Sequence, residues 1–178
     1  MVIFQFVRWM RRSWEVLSMS DDSRTVLLID AGNTRVKFAY YEELSSATTQ
    51  IMPEPQKFIL THDEIGLLSG RLRQFNKKPQ LVIGVNVAGS LLAAKIAEQI
   101  YMHCGSEDYE QHWLSSQSQL LHLKNSYADY SQLGSDRWLA MLGVSVHEQS
   151  LNHPAMLVSF GTATTVDTVF QKEFLGGL

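Results

Sequence analysis

Asp30 closes the apolar run "TVLLID", and Ala31, Gly32, Asn33 and Thr34 follow before a second run, "RVKFAYY". A glycine turn lets backbone N–H groups point at an anion with no Cβ in the way. Asn33 and Thr34 add side-chain donors, and Lys37, four residues past Asn33, adds positive charge. Asp30 repels a phosphate directly, but it can hold a hydrated Mg²⁺ that bridges to one. The set reads as a phosphate and metal corner, or as an ordinary hairpin in which Asn33 and Gly32 supply the turn geometry. A Walker loop or a dinucleotide fingerprint is disfavoured, because each needs a helix after its turn and here a strand follows.

The stretch "LGSDRW" places Asp136 and Arg137 at the expected start of a helix, with Ser135 as its candidate N-cap. A helix N-terminus stabilises a carboxylate. As a general base, Asp136 can take a hydroxyl proton, and Arg137 can grip a substrate carboxylate in a fork. A capping Asp beside a surface Arg explains the same residues without chemistry. His103, Cys104, His112 and His122 lack metal-ligand spacing, and Trp113 and Trp138 read as packing residues.

The elements that position these residues follow from periodicity. "TVLLID", "RVKFAYY" and "PQLVIGVNV" read as strands, the first two joined as a hairpin through "AGN". "HDEIGLLSGRLRQF", "GSLLAAKIAEQIYMHCG" and "LGSDRWLAMLGVSVHEQ" read as helices, the second closed by Gly105 and the third carrying Leu139, Leu142 and Val146 on one face. "SSATTQIMPEPQ" reads as a loop or edge connection, and "HWLSSQ" as a short strand. "AMLVSFGTATTVDTVF" is again strand, small-residue turn, strand. It echoes "LLIDAGNTRVKF", with Gly161 129 residues after Gly32, about one domain. The expected class is α/β with mixed sheets.

The 178 residues suffice for one large domain or two small ones, and 45% apolar against 19% charged residues is the balance of a folded chain. A net charge of -3 without a basic patch argues against a nucleic-acid partner. Cys104 is the only cysteine, which excludes an internal disulfide and fits a reducing compartment. Residues 1–24 carry Arg8, Arg11 and Arg12 among apolar residues. They read as an extension outside the core fold or as an interfacial helix, too short and charged to span a bilayer.

Taken together and in this order, "DAGNTRVK", "YADYSQLGSDRW" and "GTATTVD" resemble type III pantothenate kinases, the Bvg accessory factor family, over about Val26 to Leu178. The resemblance implies an acetate-kinase/actin-like fold of two RNase H-like domains, here 25–130 and the start of a second over 131–178. It implies ATP- and Mg²⁺-dependent phosphorylation of pantothenate to 4'-phosphopantothenate, the first step of coenzyme A biosynthesis, in a cytoplasmic homodimer with no membrane partner. By the same resemblance, Asp30, Gly32, Asn33, Thr34 and Lys37 fall on a first ATP-phosphate loop and Gly161 and Thr162 on a second. Asp136 falls on the base, and Tyr127, Gly134, Ser135 and Arg137 fall on pantothenate-binding positions. Two departures stand out. Where many members carry a cation-linked Asp this chain has Ser159, a poorer ligand, which leaves a K⁺ or NH₄⁺ requirement open. Members also continue well past "FLGGL", so a C-terminally truncated chain with an incomplete second domain is expected. The rival readings are a non-catalytic regulatory relative of the same fold and another sugar-kinase-like or phosphatase-like member of the superfamily.

Overall fold

The computed structural model describes residues 24–44, 54–105, 109–145 and 152–178. The expected N-terminal extension lies outside them, apart from Arg24, which opens the first strand. The chain divides into two compact units, one ending at Leu114 and one starting at Ser115.

The first unit is built on a five-stranded mixed sheet in the order β3-β2-β1-β4-β5. The strands are β1 (Arg24–Ala31), β2 (Arg35–Leu44), β3 (Gln56–Thr61), β4 (Leu81–Asn86) and β5 (Glu110–Leu114). β1 sits at the centre because it is apolar on both faces; Val26, Leu27, Leu28 and Ile29 are all fully buried. β2 runs antiparallel to it with Asp30 opposite Lys37, and β4 runs parallel with Ala31 opposite Asn86. Gly84 of β4 leaves room for the Trp113 ring, which a Cβ would meet at 2.5 Å.

Among the described residues of this unit are two helices, α1 (Leu68–Leu72), entered through a 3₁₀ turn at Asp63–Leu67, and α2 (Ser90–Cys104). α2 buries Leu92, Ile96, Ile100 and Cys104, a four-residue repeat that lays one stripe on the core. Each Leu or Ile so buried contributes about 1.5–3 kcal/mol. The helix stops at Gly105, which adopts a left-handed φ of 68° and donates its N–H to the Tyr101 carbonyl at 2.8 Å.

The second unit carries a second mixed sheet in the order β6-β7-β10-β9-β8. Its strands are β6 (Gln119–Leu120), β7 (Leu123–Asn125), β8 (Ala155–Phe160), β9 (Thr164–Phe170) and β10 (Glu173–Gly177). Because β7 pairs in parallel with β10, the boundary expected near residue 130 falls inside this unit. Helix α3 (Ser135–Ser145) packs on β8 and β9 and buries Trp138, Leu139, Met141 and Leu142. The Gly134 carbonyl accepts the first helical bond, from Trp138 at 3.0 Å, so Gly134 and not Ser135 occupies the cap. Val146 and the residues up to Leu151 lie outside the described ones.

The echo between hairpins is present: β1–β2 and β8–β9 are both antiparallel pairs joined by short glycine turns. β8 is an edge strand with its outer face open, Met156 at 70% and Phe160 at 85% exposure. Its neighbours Val166 and Phe170 on β9 are half-buried.

Candidate functional site

The first turn brings Asp30, Gly32, Asn33, Thr34 and Lys37 together because β1 and β2 are direct neighbours. Asp30 is buried at the end of β1, and its Oδ2 accepts from Lys37 Nζ at 3.0 Å. The Lys37 side chain is 43% exposed, so its stem crosses the ladder while the ammonium reaches the surface. Asn33 and Thr34 are exposed at the tip. The Gly32 N–H donates to Arg35 O at 3.1 Å, and a Cβ at Gly32 would press on the same oxygen at 3.3 Å. The glycine thus eases the tight return of the chain, and donors for an anion fall to the residues after it.

Two residues that sequence reasoning missed support this corner. His62 Nε2 lies 2.9 Å from the Gly32 carbonyl and pins the turn from the start of the 3₁₀ segment. The acceptor there requires the N–H tautomer at Nε2. Asn86, across from Ala31, braces the loop into α2: its amide donates to Gly89 O at 2.7 Å and its Oδ1 accepts from Ala88 N at 3.0 Å. Thirty residues separate His62 from Gly32, so no local spacing signals the contact.

In the second unit, Gly134, Ser135, Asp136 and Arg137 form the first turn of α3 and are all half-buried. Asp136 Oδ1 accepts from the Arg137 N–H at 2.8 Å, so the carboxylate sits on the positive end of the helix. The approach to this turn is fixed by Ser116, whose hydroxyl donates to Leu133 O at 2.5 Å. Upstream, Asp129 caps a short 3₁₀ segment, accepting from Ser131 N at 3.0 Å and from the Ser131 hydroxyl at 2.6 Å.

Arg137 is turned to an internal partner. Its Nε lies 3.1 and 3.2 Å from the two Asp167 oxygens, and its Nη2 lies 2.5 Å from Oδ1. The Asp167 hydrogen bonds hold the guanidinium above the usual arginine range, with a smaller pull from Tyr127. Tyr127 donates its hydroxyl to Gly177 O at 3.4 Å and tilts its ring on Phe174. Tyr127 and Arg137 therefore share one cluster. The Nε and Nη2 edge of the Arg137 fork is taken by Asp167.

Gly161 and Thr162 lie at the exposed tip of the β8–β9 turn. Here too the glycine N–H bonds within the turn, to Ala163 O at 3.1 Å, which repeats the arrangement at Gly32. A Cβ at Gly161 meets nothing closer than 3.6 Å, so this turn is sterically looser than the first. Ser159 stands opposite Thr165, whose buried hydroxyl has no hydrogen-bond partner.

The profile of the type III pantothenate kinase family matches residues 26–178, a span that contains every candidate residue above. The chain belongs to the type III pantothenate kinase family. It is 35% identical over 154 residues to the type III pantothenate kinase of Bordetella bronchiseptica, covering 86% of this chain and 55% of that one. The type III pantothenate kinases of Bordetella petrii and Paracidovorax citrulli are 37% and 33% identical, each over 86% of this chain. The chain thus spans about half the length of the type III pantothenate kinases it matches. Among solved structures, an Aquifex aeolicus member of the Ppx/GppA family aligns at a TM-score of 0.42 and 11% identity over 88% of this chain and 50% of that one, too loose a likeness to carry an argument.

The donor set bears on metal binding. Among the described residues no three His, Cys, Asp or Glu side chains cluster as a metal cage. A single buried carboxylate beside a lysine suits an ion that keeps its waters and rests mainly on substrate phosphates, which is the habit of Mg²⁺. Among the same residues no helix is long and apolar enough to cross a membrane.

Proposed function

We propose that the full-length protein transfers the γ-phosphoryl group of ATP to the 4'-hydroxyl of pantothenate, the opening step of coenzyme A synthesis. The observation that carries this reading is the start of α3. Asp136 keeps a half-buried carboxylate there, held through Oδ1 at 2.8 Å beside Arg137, inside a stretch shared with type III pantothenate kinases.

In this reading the pantothenate hydroxyl gives its proton to the free carboxylate oxygen of Asp136 as its oxygen bonds to the γ-phosphorus. The bond from that phosphorus to the β-bridging oxygen breaks, and ADP leaves. Base assistance of this kind contributes about 10²–10⁴-fold. Phosphoryl transfer asks mostly for positioning and charge neutralisation. Lys37 and the N–H groups of the Gly32 and Gly161 turns supply these for the ATP phosphates, with Asn33, Thr34 and Thr162 as further donors. Mg²⁺, held through water by Asp30, would add charge neutralisation on the phosphates. Tyr127, Gly134, Ser135 and Arg137 orient pantothenate.

The same reading includes an acetate-kinase/actin-like duplication of two RNase H-like domains, a cytoplasmic location and a homodimer. The paired hairpins at Gly32 and Gly161 support the duplication. Ser159 leaves K⁺ or NH₄⁺ activation unassigned. A coupled ADP-release assay on the full-length protein, with pantothenate and a panel of small alcohols and sugars, tests the function. ADP release stimulated by pantothenate alone supports it. Release with another acceptor points to a different phosphotransferase, and ligand binding without release points to a regulatory relative.

A further inference from the structure

The motif "GTATTVD" ends in Asp167, a residue that the proposed reaction leaves without a role. Asp167 is fully buried, the most enclosed acidic side chain among the described residues. A buried carboxylate is tolerated only when paired and hydrogen-bonded. Its partner is Arg137, reached across from β9 to the first turn of α3 by three N–H···O contacts of 2.5–3.2 Å.

The surroundings are built to hold that pair. Gly177 of β10 lies opposite Asp167 in the ladder. A Cβ on Gly177 would collide with Asp167 Oδ1 and stand 2.6 Å from Arg137 Nη2. Val166 and Leu178 exchange both backbone hydrogen bonds at 3.0 Å, which locks the β10 end against β9 beside the pair. Tyr127 reaches the Gly177 carbonyl from the other side.

We propose that Asp167 is the positioning residue for Arg137 in acceptor binding, with Gly177 as the glycine that lets the pair form. The inference rests on the reading that Arg137 contacts the acceptor. It adds a statement about recognition. Asp167 takes the Nε and Nη2 edge of the guanidinium, so the acceptor meets the remaining N–H groups of a neutralised pair. Arg137 then recognises an acceptor oxygen by direction of hydrogen bonding more than by bare charge. A lysine, a point charge without the fork, does not replace it.

The test is a double-mutant cycle in the full-length enzyme, using Arg137→Met, Asp167→Leu and the two combined. The pair of apolar replacements removes both charges together, so the double variant is expected to fold even where a single one, which leaves one charge buried and unpaired, does not. The expected result is a KM for pantothenate raised about tenfold or more in each single variant, with KM for ATP little changed, and no further rise in the double variant. Losses that multiply in the double variant, or that move both KM values together, overturn the proposal. The Arg137 Nε–H resonance in ¹⁵N-resolved NMR gives a readout independent of turnover. It should be sharp and strongly shifted in the parent and lose that shift in Asp167→Asn. A parent with the shifted resonance but no pantothenate turnover refutes the reading of the site and leaves a structural pair only. A parent without the shifted resonance refutes the pairing itself.

Discussion

Lys37 Nζ and Asp30 Oδ2 are 3.0 Å apart across the β1–β2 ladder, so the lysine beside the glycine turn is already partnered by a buried acid. Removing either member should disturb a nucleotide phosphate at this turn. Lys37→Ala should weaken MgATP binding about tenfold, the cost of one charge-assisted hydrogen bond. Asp30→Ala should weaken it as well, by freeing Lys37 from its fixed position. Pantothenate affinity should change less in both. Isothermal titration with unchanged nucleotide affinity in the two variants would count against the phosphate corner.

Ser159 faces Thr165, whose hydroxyl is buried without a partner. A carboxylate at 159 adds a hard, charged oxygen next to that orphaned group. Ser159→Asp is therefore expected to create or strengthen activation by K⁺ over Na⁺. Rates that stay alike in the two salts, in parent and variant, would end the cation argument.

The β9–β10 turn places Gln171 and Lys172 at φ 49° and 65°, left-handed values for two residues with full side chains. Each pays for that conformation with about 1 kcal/mol or more. Replacement by Asn-Gly, the pair favoured in two-residue hairpins, should stabilise the fold by about 1 kcal/mol and raise Tm by a few degrees. A calorimetric Tm at or below that of the parent would contradict the assignment of strain.

That turn also shows why part of the fold was hidden in the sequence. β1 and β8 are legible because apolar runs end at glycine, β2 because apolar and polar residues alternate, and α2 because Gly105 stops it in the conformation glycine favours. β10 follows a turn with no Gly, Asn or Asp, so nothing local marks the reversal. β3 is an edge strand with Ile59 half exposed, and its alternation is too weak to register. The candidate residues were legible as types within motifs. Their partners were not: Asp167 and His62 each act on a residue thirty positions away, a distance that only the folded sheets close. The cap of α3 was misplaced by one residue for a related reason. Ser135 is the better capping type, yet the helix takes its first hydrogen bond from Gly134.

Burial pushes the His103 and His122 imidazoles below the usual range, helped by Lys78 and Arg73 near the first and by Lys172 near the second. A folded pKa below the unfolded one means that the unfolded chain binds more protons between the two. The stabilising contribution is therefore complete above the unfolded value and is lost as pH falls through the folded values. Tm should drop as pH falls below the ordinary histidine pKa of about 6.5. His103→Gln combined with His122→Gln should flatten that drop. An equal drop in the double variant would place the acid sensitivity elsewhere.

The central claim is that Asp136 takes the acceptor proton during phosphoryl transfer, and Asp136→Asn tests it most directly. The amide keeps the shape of the carboxylate and cannot receive the proton. Product formation by the full-length protein, followed by ³¹P NMR with ATP and pantothenate, should show phosphopantothenate and ADP growing together in the parent. In the variant the rate should fall about 10²–10⁴-fold while calorimetric ATP affinity stays nearly the same. A variant rate within about threefold of the parent, well short of a base contribution, would contradict the account.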